Sequence, residues 1–345
     1  MRNGIIGAGN WVLDKVKNID RWPGEGNLCN ITGEVFAPGG GPANVLFDIN
    51  AADPALPLYA AGKLGADSEG DYLMAEIERR GIDGKFMKRS SKVPTSYTDV
   101  MSGNGKRTFF HCRGANAELC CEDLENIDVP AKFFYLGYLL LLDSLDAADS
   151  EYGTKAVRLL KTMREKGYKT VVDFVSEAPE KFRSAVLPAL PYIDILIVNE
   201  VETACCCGFD LRSADGKLLW QKLPEAVDFM LENGVRETVV IHFPEGACAK
   251  ARGGEYIYRP SCFISREEIV GSNGAGDAFC AGVMYALHQE WPLDKALALG
   301  GASSNFNLRS ATASGGAVSL EKMLDYLKEC KFEALPEGMS ANYGK

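Results

Sequence analysis

Short runs of β-branched and aromatic residues alternate with amphipathic stretches through most of this chain, and that alternation constrains the fold more than any other feature. Residues 3–8, 133–142, 170–174, 193–198 and 238–242 are apolar along most of their length, as strands buried in a sheet are. Between them lie helical patterns. Residues 155–166 place Ala156, Leu159, Leu160 and Met163 at three-four spacing, and Gly167 supplies a stop. Residues 224–232 and 277–289 behave the same way. Strand–helix alternation predicts an α/β fold: a central, mostly parallel sheet with helices on both faces and a ligand site at the strand C-terminal ends.

Two stretches, about 12–38 and 93–113, break this rhythm. The second holds the polar-alternating runs Ser96-Tyr97-Thr98-Asp99-Val100 and Arg107-Thr108-Phe109-Phe110-His111 around Gly103-Asn104-Gly105. An Asn-Gly turn between such runs signals a hairpin. Both stretches are read as a small β-sheet projecting from the main body. With 345 residues, one large domain or two ordinary ones are expected. No Gly/Ser or Pro-rich linker, low-complexity tract or internal repeat divides the chain, so residues 1–345 are read as one domain.

Charge and cysteine usage narrow the partners. Thirty-seven Lys and Arg against 47 Asp and Glu leave a net charge of −10, so no basic face is expected for nucleic acid or an anionic membrane. The longest apolar run, 133–142, falls far short of the ~20 residues of a membrane span. No basic segment followed by an apolar one precedes a cleavage site, which predicts no secretion signal and a cytoplasmic location. Eleven cysteines include the run Cys205-Cys206-Cys207 and the pair Cys120-Cys121, a pattern that suits packed thiols better than a disulfide framework. The three histidines, His111, His242 and His288, lie near no CxxC pair, so no zinc site is expected.

Three segments could carry chemistry. In Gly274-Ala275-Gly276-Asp277, small residues leave successive backbone N–H groups unobstructed at the start of an apolar helix, which is an anion site. Asp277 beside it has two readings: a carboxylate complementing the helix dipole, or a general base taking a proton from an attacking hydroxyl. In Gly39-Gly40-Gly41-Pro42-Ala43-Asn44, glycines permit close backbone approach and Asn44 offers a donor and an acceptor; a turn with a helix cap is the alternative. Asn199 and Glu202 follow the 193–198 strand at capping-box spacing, where a carboxylate could also hold Mg²⁺ through water. No G-x-x-x-x-G-K-[ST] loop occurs, and Gly7-Ala8-Gly9-Asn10-Trp11-Val12 lacks the last position of a dinucleotide fingerprint.

Together these segments resemble the ribokinase-like sugar kinases of the PfkB family, end to end. The likeness runs through Gly39 to Asn44, Ala61-Gly62-Lys63-Leu64-Gly65-Ala66-Asp67-Ser68-Glu69-Gly70, Pro94-Thr95, Gly105-Lys106-Arg107-Thr108-Phe109 and Gly114-Ala115-Asn116. It continues in Asn199 and Glu202 and ends at Gly274 to Asp277. The resemblance implies a ribokinase-like fold with a small β lid, and transfer of the γ-phosphoryl of ATP, with Mg²⁺, to a hydroxymethyl group of a furanose-like or keto sugar. It implies Asp277 as base with the amides of Gly274, Ala275 and Gly276 as anion hole. Asp14, Gly40, Gly41 and Asn44 would bind the sugar; Asn199, Gly246 and Ser304 the nucleotide; and Glu202 the Mg²⁺. The lid strands suggest a homodimer.

Departures from the pattern qualify this. The family's Asp-Thr pair, whose Asp helps hold a monovalent cation, reads Gly271-Ser272 here, which argues against a standard K⁺ site. Its glycine-containing phosphate loop reads Phe243-Pro244-Glu245-Gly246, in which Pro244 has no N–H and Glu245 is anionic. The motif at Asp173-Phe174-Val175 is altered, and Asp173 is given no role. A nucleoside kinase and a catalytically weak sugar- or nucleotide-binding protein on the same scaffold are the alternatives; a dehydrogenase stands third.

Overall fold

The computed structural model describes residues 2–104, 106–175 and 182–335. Its strands are, in chain order, β1 (Ile5–Gly9), β2 (Val12–Ile19), β3 (Ile31–Gly39), β4 (Leu58–Gly65), β5 (Asp83–Ser90), β6 (Tyr97–Gly103), β7 (Lys106–Cys112) and β8 (Phe133–Leu139). There follow β9 (Ala148–Asp149), β10 (Gly153–Thr154), β11 (Lys169–Phe174), β12 (Ile195–Asn199), β13 (Thr238–Phe243), β14 (Gly246–Ala251) and β15 (Tyr256–Pro260). Nine of them form one sheet in the order β15-β14-β13-β12-β11-β8-β1-β4-β5. From β13 to β5 every neighbour is parallel, while β14 and β15 add an antiparallel edge.

Strand alternation divides the inner side chains between two cores. Phe134, Leu136, Val172, Leu196, Val198, Val239 and Ile241 point to one, with the helices Lys155–Glu165 and Leu223–Glu232. Phe133, Tyr135, Val171, Ile195, Ile197 and Val240 point to the other, under the helices Gly41–Ala52, Ala275–His288 and Leu293–Asn307. Because both faces are covered, these strands lose the polar alternation of a solvent-facing sheet, which is why they read as continuous apolar runs.

A second sheet has the order β3-β2-β6-β7. β2 pairs antiparallel with β3 and parallel with β6, and β6 pairs antiparallel with β7 in the register Gly103↔Lys106. Asn104 stands in the left-handed region (φ 52°), as a tight hairpin turn requires. Gly105 of that turn lies outside the described residues. All eleven cysteines are free thiols. Among the described residues no helix is long and apolar enough to cross a membrane.

Several expected boundaries move; β1 begins at Ile5, two residues after its expected start. The 133–142 run stops being strand at Leu139, where Tyr138 and Leu140 adopt positive φ (61° and 83°). The last expected helix begins at Ala275. β12 begins at Ile195, two residues later than the apolar run suggested.

Candidate active site

The C-terminal ends of β8, β11, β12 and β13 open into a cavity of about 550 Å³. The N-terminus of the Ala275–His288 helix forms one wall, and β2, β6 and β7 of the small sheet form another. Asp14, Gly40, Asn44, Asn199, Glu202, Gly274, Gly276 and Asp277 all line it. Residues separated by more than 230 positions in sequence thus face one space.

Asp277 occupies the third position of its helix, is 6% exposed, and forms no ion pair among the described residues. Asn44 Nδ2 and the Tyr138 hydroxyl both donate to its Oδ2, each at 2.8 Å. Burial pushes its carboxyl up to about 6, and those two hydrogen bonds pull against that rise. The backbone N–H groups of Gly276 and Asp277 have no partner among the described residues, as expected for the first turn of a helix. Glycine is required at 274, where φ is +75° and a Cβ would overlap the Ala313 carbonyl oxygen. Carboxylate and open amides therefore stand side by side, which is the arrangement for taking a proton at one point and stabilising anionic charge at the next.

Asp14 projects from β2 toward the same space and accepts from Asn273 Nδ2 at 3.3 Å. Burial raises its carboxyl to about 6; the Asn273 bond opposes this, and the charge of Asp277 adds to it. Asn44 sits on the first turn of the Gly41–Ala52 helix, with its Nδ2 spent on Asp277 and its Oδ1 buried without a partner. Gly40 has φ +88°, and a side chain there would overlap the Asn10 carbonyl oxygen. Gly41 begins the helix behind it, against the rings of Tyr135 and Tyr138.

Asn199 and Glu202 form the capping box that their spacing suggested. Glu202 N–H donates to Asn199 Oδ1 (2.8 Å), and Asn199 N–H donates to Glu202 Oε2 (3.2 Å). The capping reading is met, and capping does not remove Glu202 from the cavity wall. Its carboxylate is a hard oxygen donor of the kind Mg²⁺ takes, whereas both oxygens of Asp173 accept hydrogen bonds, from Tyr138 N–H and the Tyr135 hydroxyl. Among the described residues no three His, Cys, Asp or Glu side chains gather as a metal cage. A protein that binds Mg²⁺ mainly through substrate phosphates needs none.

Gly246 and Ser304 do not line the cavity. Gly246 opens β14 directly after the Pro244-Glu245 turn, and Ser304 is half-buried on the Leu293–Asn307 helix. Glu245 accepts a two-pronged bond from Arg212 (2.9 and 2.9 Å), which also donates to Glu200 at 2.7 Å. The negative charge of this turn is thus neutralised within the protein. Against Gly271 packs the Arg107 guanidinium, with Nη2 2.6 Å from where a Cβ would stand. The position that lacks the family's cation-site Asp thus faces a guanidinium.

Tyr138, Asp173, His242 and Thr98 were given no site role from the sequence. Tyr138 is the foremost, since it lay inside an apolar run read as uninterrupted strand. Asp173, given no role, accepts from Tyr138 N–H (2.8 Å) and from the Tyr135 hydroxyl (2.7 Å). His242, which burial lowers to about 4 and so keeps neutral, packs on Phe279 with ring centroids 5.0 Å apart. From the small sheet, Thr98 Oγ1 and His111 Nδ1 share a 3.0 Å hydrogen bond, and Phe109 lines the cavity while staying 55% exposed.

Comparison with known proteins identifies the family. The sequence profile of the pfkB family carbohydrate kinases matches residues 11–319. The chain is 24% identical over 237 residues to the 2-dehydro-3-deoxygluconokinase of Dickeya dadantii, covering 67% of this chain and 73% of that one. It is 25% identical over 250 residues to the adenosine kinase of Saccharomyces cerevisiae, covering 69% and 68%. The Arabidopsis thaliana ribokinase complexed with ribose and ATP has a similar fold, with a TM-score of 0.74 and 21% identity over 95% of this chain and 99% of that one. The match spans both glycine segments, the N-x-x-E pair and the Gly274–Asp277 turn in a single stretch. The chain belongs to the pfkB carbohydrate kinase family and is a phosphotransferase with an alcohol group as acceptor.

Proposed function

We propose that this protein transfers the γ-phosphoryl group of ATP to a hydroxymethyl group of an uncharged furanose-like or keto sugar, with Asp277 as general base. The observation that carries the reading is the arrangement of Asp277: no cation neutralises it among the described residues, two donors hold Oδ2, and open amides adjoin it. A carboxylate brought up to about 6 is matched to proton abstraction near neutral pH. Asp14, Asn44 Oδ1 and Gly40 then bind the sugar, whose reacting hydroxyl faces Asp277. That hydroxyl gives its proton to the carboxylate as its oxygen attacks the γ-phosphorus, and the bond from that phosphorus to the β,γ-bridging oxygen breaks to release ADP. The open N–H groups of Gly276 and Asp277, with that of Gly274, donate to the oxygens of the transferring group, whereas the Ala275 N–H is already held by the Ser272 carbonyl oxygen at 3.3 Å. Mg²⁺, when bound, neutralises phosphate charge; Glu202 is the residue assigned to it, and Asn199 orients Glu202. Gly246 and Ser304 stay assigned to the nucleotide by motif, as contacts beyond the reacting end.

Chemistry of the wall selects the acceptor. Asp14, Asp173, Glu202 and Asp277 are anionic or acceptor groups, and the unpartnered Asn44 Oδ1 accepts hydrogen bonds as well. Such a wall suits a neutral ligand rich in hydroxyl donors and repels a sugar acid or sugar phosphate. Phe109 favours a second reading, a nucleoside acceptor whose base lies on the exposed ring. A coupled ADP assay across neutral sugars, nucleosides, aldonates and sugar phosphates tests both. Turnover confined to sugar acids would reject the neutral-acceptor reading.

The β3-β2-β6-β7 sheet acts as a lid in this reading, excluding water from the cavity. Ile31, Val35 and Phe36 on its outer strand are about half exposed, and β3 is an open edge. We assign this edge to a homodimer; a monomeric mass by light scattering would reject it. Eleven free thiols support a reducing, cytoplasmic location.

A further inference from the structure

We infer that Tyr138, latched by Asp173, is the positioning residue that presents Asp277 to the acceptor hydroxyl; the inference rests on Asp277 acting as the base. Tyr138 is the next-to-last residue of β8 and has φ +61°. A bulky side chain in the left-handed region is uncommon and persists only where its surroundings over-determine it. Here they do. Asp173 Oδ1, from β11, accepts the Tyr138 N–H at 2.8 Å, and Asn10 Nδ2 donates to the Tyr138 carbonyl oxygen at 3.3 Å. The Tyr135 hydroxyl occupies the other Asp173 oxygen at 2.7 Å, which fixes the latch itself. Gly41 makes room: a Cβ there would stand 3.0 and 3.1 Å from two ring carbons of Tyr138.

The product of this strained placement is one hydrogen bond, from the Tyr138 hydroxyl to Asp277 Oδ2 at 2.8 Å. Asn44 Nδ2 donates to the same oxygen, so two donors on one atom fix the carboxylate plane. Asp277 Oδ1 has no partner among the described residues and is left to receive the substrate proton. Both donors also favour the charged form of Asp277, so the base is ionised at lower pH than its burial alone would allow. Asp173 shares no bond with Asp277 and positions it through Tyr138; like Asp14 and Asp48, the other carboxyls that face Asp277, it also interacts with Asp277 by like-charge repulsion.

Tyr138→Phe deletes the hydroxyl and little else, and the readout is the pH profile. The acid limb of kcat/KM is expected to move up by about half to one pH unit, because a bond to the charged base is lost. At pH 7, kcat falls roughly ten- to a hundredfold, while KM for the sugar changes less than about threefold. Asp173→Ala frees the Tyr138 backbone and is expected to give the same shifted limb. Asp173→Asn keeps an oxygen acceptor and restores most of the loss. A Tyr138→Phe enzyme with the wild-type pH profile and kcat would overturn the inference, as would a rise in KM alone. If Asp277→Asn is inactive while Tyr138→Phe is normal, only the latch fails; if Asp277→Asn turns over normally, the base assignment fails and takes the latch with it.

Discussion

Replacing Asp277 with Asn is expected to make the protein more stable as it makes it inactive, by an amount that depends on pH. The carboxyl is raised from the usual 3.8 to about 6 by burial, against the two hydrogen bonds from Asn44 and Tyr138. Roughly two pH units correspond to about 3 kcal/mol at ~1.4 kcal/mol per unit. Since the folded value is raised, the folded state holds the proton more tightly than the unfolded chain. The stability this confers is full below 3.8 and is lost as pH rises through about 6. Asn carries no charge at any pH, and its oxygen can still accept from Asn44 and Tyr138. Asp277→Asn should therefore raise the unfolding free energy by roughly 2–3 kcal/mol at pH 8 but only about 1 kcal/mol at pH 4.5. Urea unfolding at the two pH values, with m held in common, reads the difference. Equal gains at both pH values, or a loss at pH 8, would refute the reasoning. Such a trade of stability for chemistry is the usual signature of a buried working group.

Other outcomes follow from the same geometry. Gly40→Ala places a Cβ against the Asn10 carbonyl oxygen at φ +88°; it should cost about 1–3 kcal/mol in thermal unfolding and raise KM for the sugar. Asp14 and Asp277 both lie near 6 in one cavity, so kcat/KM should fall between pH 7 and 5 with apparent values belonging to the pair. Glu202→Gln keeps an oxygen for the Asn199 N–H yet removes the charge, and the Mg²⁺ needed for half-maximal rate should rise roughly tenfold. With the Arg107 guanidinium against Gly271, exchanging K⁺ for Na⁺ should change the rate less than about twofold.

β1, β8, β11, β12 and β13 of the large sheet were legible because two-sided burial leaves an apolar run with sharp ends, as at Thr238–Phe243, whereas the inner strand β4, rich in Ala and Gly, was not singled out. β14 was not legible, since Gly-Ala-Cys-Ala-Lys-Ala carries neither β-branched residues nor alternation, although it pairs with β13 on one side and β15 on the other; β15 is the short edge strand. Asp277, Asn44 and Glu202 stood out because each adjoins a local irregularity: a glycine turn, a glycine run, or a capping box. Tyr138 had no such flag. Its left-handed backbone is imposed by Asp173 and Gly41, residues 35 and 97 positions away, and nothing in Leu136-Gly137-Tyr138-Leu139 announces it. Asp173 carried a local motif in altered form, and only the fold showed what its two oxygens hold. His111 and Phe109 needed the β2-β6-β7 register to be placed over the cavity.

The central claim is most directly tested by ADP release from wild-type and Asp277→Asn protein, both shown to be folded, with MgATP and the best acceptor from the panel at pH 8. The account predicts that acceptor-dependent ADP release falls by about a thousandfold or more in the variant, while calorimetry shows the sugar still bound. A variant that keeps a tenth or more of wild-type turnover would contradict it.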